Sequence, residues 1–147
     1  MTSVDQRPGV PLLHAARGVR LLATLLLLSA LPYVLFVVVA YFVNDLDRFP
    51  LEEVAAGYHD PKDMWPTTVP HIGGWLHTLG VLSLAAVPLV SAGALVISAW
   101  SVVSLVRSRS RAWGVVLGHL AVVVACVTTT AYFLSPVSQQ LAGWQMD

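Results

Sequence analysis

Three long runs without a charged side chain decide what this chain can become: Leu21 to Val43, Leu76 to Val106, and Ala112 to Leu134. A run of about 23 residues gives about 34 Å of helix, enough to cross a hydrocarbon core of about 30 Å. The second run is longer, and tilt or a kink at Pro88 must absorb the surplus. An apolar share of 56% against a charged share of 11% leaves too few polar residues to wrap such runs in a water-facing surface. The fold class that follows is an all-α integral membrane protein with three transmembrane helices. A single membrane domain is expected over 1–147: N-terminal segment 1–20, first span 21–43, loop 44–74, second span 75–106, turn 107–111, third span 112–134 and tail 135–147.

The formal net charge is zero, yet the charges are segregated. Arg7, Arg17, Arg20, Arg107, Arg109 and Arg111 against Asp5 leave +5 on segment 1–20 and the turn 107–111. Arg48 and Lys62 against Asp45, Asp47, Glu52, Glu53, Asp60, Asp63 and Asp147 leave −5 on the loop and tail. Orientation follows the Lys/Arg excess in short loops, so the N-terminus and the arginine turn are expected in the cytoplasm and the C-terminus outside. A cleaved signal peptide is the rival reading of the N-terminus, with Val38-Val39-Ala40 as its best cleavage site. The first run is longer than a signal peptide's apolar core, which favours a span. Seven arginines against one lysine suggest a GC-rich bacterial source, hence the bacterial plasma membrane.

Helix pairing can be read from small residues, because lipid offers no hydrophobic contrast and backbones must approach closely. Gly80, Val87, Ser91, Ala94, Ser98 and Ser101 share one face of the second span. Gly114, Gly118, Ala121, Ala125 and Thr128 lie within about 40° of one line on the third. These stripes predict a tight antiparallel hairpin of spans two and three. His119, Cys126 and Thr130 then fall on another face, which span one or a second protein must cover. Tyr33, placed in mid-membrane, needs a hydroxyl partner.

Short interfacial helices are expected at three places. Leu12 to Arg17 suits one or two turns before the first span. Pro50, Glu52 and Glu53 followed by Gly57 carry helix start and stop signals, with Leu51, Val54 and Ala55 facing the bilayer. Ser135-Pro136 caps a tail helix whose Val137, Leu141 and Trp144 would lie flat on the membrane. Trp65 and Trp75 suit the outer aromatic belt.

Little in the chain points to chemistry. His77 and His119 stand about 20 Å apart along the bundle, too far for one haem. His59, Asp63 and His71 are the candidate metal ligands in the loop, at a spacing that matches no recognised site. The serines of the second span have no neighbouring base, and no repeat suggests a transporter. No cofactor and no nucleic acid partner are expected.

Arg111, Gly118-His119-Leu120, the aliphatic run after it, Tyr132-Phe133 and Leu141-Ala142-Gly143-Trp144 resemble the C-terminal membrane region of bacterial β-lactamase-like serine hydrolases. That region has an Arg or Gly-x-His start, an apolar span and a Leu-Gly-aromatic tail. The resemblance covers the last quarter of the chain and implies a free-standing relative of an anchoring module. The activity does not come with it, since the chain has no Ser-x-x-Lys element. The expected function is therefore that of a small non-enzymatic accessory or structural subunit, bound to a partner membrane protein or a second copy. The alternative is a membrane-tethered loop that binds a metal or small ligand.

Overall fold

Between Pro11 and Pro32 only Gly18 weakens helix formation, and the chain there forms one continuous helix, α1 (Val10–Tyr33). The computed structural model describes residues 10–108 and 112–146. Pro11 falls in the first turn of α1, where a missing N–H is no loss. Leu12 to Arg17, expected to form one or two helical turns, are helical and run into the span without a break.

α1 carries Pro32 in its last turn, and the chain then widens into a π-helical turn, Val34–Val39, before closing again as α2 (Ala40–Val43). Tyr33, Val37 and Ala40 all come to face inward.

Two further spans follow, α4 (Gly73–Arg107) and α5 (Trp113–Phe133), and the tail forms α6 (Pro136–Met146). Three helices are long and apolar enough to cross a membrane: His14–Val43, Gly73–Arg107 and Trp113–Phe133. The described residues contain no strand. The 35 residues of α4 correspond to about 52 Å, so α4 extends past a hydrocarbon core of about 30 Å.

The α4–α5 contact is the most extensive in the molecule, followed by α1 with α4; α1 and α5 touch less. The line Gly80, Ser83, Val87, Ser91, Ala94 and Ser98 of α4 is buried. Gly80 meets span one rather than α5: a Cβ there would stand 3.1 Å from Phe36 Cβ.

The rotation of α5 differs from the expected one. Its buried line is Val116, His119, Val122 and Cys126, whereas Gly114, Ala121 and Ala125 are exposed. Gly118 is spent on α1, where a Cβ would come within 3.0 Å of Val19 Cγ1. The physical reason is the imidazole of His119, which needs a polar neighbour inside hydrocarbon. Ser98 of α4 provides it, with Oγ 3.4 Å from His119 Nδ1.

The segment between α2 and α4 folds back onto the span ends. A 3-10 turn (Leu46–Arg48), α3 (Leu51–Glu53), a π-helical turn (Val54–Tyr58) and a second 3-10 turn (Pro61–Asp63) make up its regular part. Gly57, at φ 80°, ends the helical part as expected. Leu46 and Val54 are buried with Leu141 and Trp144 of α6 in one cluster that continues into the bundle through Tyr33, Val37, Ala40 and Val87. A second cluster joins Leu22, Ala94, Val122 and Cys126 nearer the other end. Val54, Leu141 and Trp144 therefore face protein, not lipid, which corrects the interfacial reading of both short helices. The expected cap of α6 forms, with Ser138 N–H donating to Ser135 Oγ at 3.3 Å.

Candidate functional site

The folded cap is the most specific polar structure in the molecule. Asn44 stands just past the last residue of α2, where its side chain serves two backbone stretches. Its Nδ2 donates to Ala40 O (2.7 Å) and Trp65 O (2.8 Å), and Trp65 N–H donates to its Oδ1 at 3.2 Å. Trp65 is thereby held over Phe36, with ring centroids 6.3 Å apart, instead of lying free in an aromatic belt. Trp75 is the residue that does stand outward, 74% exposed.

Trp144 closes the cap from the other side. It is 1% exposed, and its Nε1 donates to His59 O at 2.9 Å. The carbonyl of Gln145 lies 3.1 Å from His77 Nε2 and can only accept, so this ring carries a proton on Nε2. Gln145 is itself buried, and its side-chain amide has no partner among the described residues. The His59 ring stacks at 4.5 Å on Phe49, and its Nε2 stands 3.7 Å from Glu53 Oε1.

These contacts use His59 for structure, and the candidate metal ligands do not converge. His71 is exposed at φ 66°, and Asp63 is exposed at the end of the second 3-10 turn. Among the described residues no group of three His, Cys, Asp or Glu side chains is placed to hold a metal ion. His119 is level with Ser98, which lies 21 residues beyond His77 on α4, so the two histidines are about 30 Å apart along the axis rather than about 20 Å.

The residues expected to form a partner face are divided. His119 (2% exposed) and Cys126 (0%) are inside, against α4 and α1. Thr130 is outside, its Oγ1 donating to Cys126 O at 2.8 Å. Gly114, Ala121 and Ala125 face outward on α5 beside exposed Leu117, Val124 and Val127, with no heavy atom within 4 Å of a Cβ built on Gly114. On α4, Gly93 is likewise open. Tyr33 finds the partner it needs, its hydroxyl 2.9 Å from that of Tyr132.

Charge divides the molecule end from end. Asp45, Asp47, Glu52, Glu53, Asp60 and Asp63 all lie in the cap, and no acidic residue occurs within 10–43 or 73–146. Arg17, Arg20 and Arg107 are exposed at the opposite end; Arg109 and Arg111 lie outside the described residues. Asn44 and Gln145 escaped the sequence reading. The signal for the second was present, since Ser138, Leu141, Trp144 and Gln145 share one helical face.

The chain matches no known family model, and no curated protein or solved structure matches it significantly.

Proposed function

We propose that this chain is a non-enzymatic accessory subunit of the bacterial plasma membrane that binds another membrane protein through the outward line of α5. One observation carries the reading: the small residues Ala121 and Ala125, one turn apart on α5, form a short line that is left facing out. A line of this kind permits the close backbone approach by which helices associate in lipid. In this reading α4 and α5 form an antiparallel hairpin. Support comes from Ser98 lying beside His119 while Leu84 and Pro88 share a recess with Thr130 and Phe133. The N-terminus is cytoplasmic and the cap external, as the arginine distribution favours.

Copurification in mild detergent followed by mass spectrometry tests the reading, with wild type beside an Ala121→Leu, Ala125→Leu double variant. Both positions are exposed, so the variant keeps its fold. A partner held by wild type and lost from the variant is the expected result. Recovery of the same partner at the same stoichiometry with both proteins would remove the α5 face from consideration. A second copy of the chain, detected as a higher oligomer lost in the variant, would redirect the reading to self-association.

A further inference from the structure

We propose that the recess between the first turns of α5 and the facing part of α1 binds the headgroup phosphate of an anionic phospholipid. The recess is about 330 Å³ and is lined by Ala16, Val19, Arg20, Ala112, Gly114 and Val115. It exists because two glycines one turn apart behave differently. Gly118 lets α5 close onto Val19, while at Gly114 no heavy atom comes within 4 Å of a Cβ position. The helices are thus brought together at one level and left with nothing between them at the next.

The chemistry of the lining points to a lipid. Arg20 is the only charged residue in the wall, and it has no ion pair among the described residues. No carboxylate on α1, α4, α5 or α6 is available to it, since the described acids all belong to the cap. Arg17 stands one turn before it on the same side of α1, and Arg107 ends α4 shortly before the chain reaches Ala112. Arg20 also immediately precedes the uncharged run that begins at Leu21. This places the guanidinium where headgroups meet hydrocarbon, and such cations attract anionic headgroups. The other five lining residues are apolar or small, which suits the glycerol and upper acyl carbons of the same lipid. A free phosphate would meet one guanidinium and an apolar wall.

The proposal rests on the membrane placement of the three long helices, and the test separates the two. The full chain is reconstituted into nanodiscs of phosphatidylcholine with phosphatidylglycerol, released into mild detergent and weighed by native mass spectrometry. Wild type should retain one phosphatidylglycerol in preference to phosphatidylcholine. Arg20→Gln should retain it about five-fold less, the effect of one interfacial cation. Gly114→Leu, which fills the recess without removing charge, should lower retention as well. Arg48→Gln, at the far end, should match wild type. Equal retention of both lipids by wild type would overturn the site while leaving membrane insertion intact. Retention unchanged in Arg20→Gln and Gly114→Leu would also overturn it, as would displacement of the lipid by inorganic phosphate.

Discussion

The bundle and the cap are built from the same chain by different means. In the bundle, contacts rest on small side chains: Gly80 against Phe36, Gly118 against Val19, Ser98 beside His119. In the cap they rest on large rings and on side chains that bond to distant backbone: Trp144 to His59 O, Asn44 to both groups of Trp65, His77 to Gln145 O. The difference follows from the solvent. Lipid gives no reward for hiding leucine, so spans gain by approaching closely. Water does reward it, and at the membrane surface a buried tryptophan with a bonded N–H can hold a loop in place.

The largest effect that would break this comparison is expected at Trp144. Trp144→Ala empties the centre of the cap cluster and should cost about 3–5 kcal/mol. Limited trypsin digestion of the detergent-solubilised protein would read it as accelerated cleavage at Arg48 and Lys62. Cleavage no faster than in wild type would mean the ring does not hold the cap. The bundle counterpart is smaller. Gly118→Leu pushes a side chain into Val19 and should destabilise by about 1–3 kcal/mol. Gly114→Leu, one turn away, should leave thermal stability in detergent near wild type. Equal losses at the two glycines would show that α1 closes on α5 along its whole length. Smallest is Asn44→Ala, which removes three hydrogen bonds in a part-buried site and should cost about 1–2 kcal/mol. It would be seen as faster amide exchange around Trp65 with the spans unaffected; protection lost across all three spans would instead tie the cap to the stability of the bundle.

The three spans could be read from the sequence because an uncharged run of twenty or more residues has one common solution. The rotation of α5 could not be read that way. The stripe Gly114, Gly118, Ala121, Ala125 and the face Val116, His119, Val122, Cys126 are both plausible contact surfaces, and the choice depends on where Ser98 offers a partner to His119. The cap failed for a related reason. Val54, Leu141 and Trp144 have the periodicity of a helix lying on a membrane, and periodicity does not say whether the apolar counterpart is lipid or protein. The loop and tail cover each other, a contact between residues some 85 positions apart in the Trp144–His59 hydrogen bond. No local pattern encodes it.

The proposed orientation puts the acidic cap outside and the basic end in the cytoplasm, with the three long helices crossing between them. Single cysteines at Lys62 and Ser108, both exposed, test it with a membrane-impermeant thiol reagent on intact cells. Cys126, the one native thiol, is buried and gives little background. Lys62→Cys should be labelled in intact cells, and Ser108→Cys only after the membrane is opened. Labelling of Ser108→Cys from outside while Lys62→Cys stays protected would contradict the orientation, and labelling of both would contradict the crossing itself.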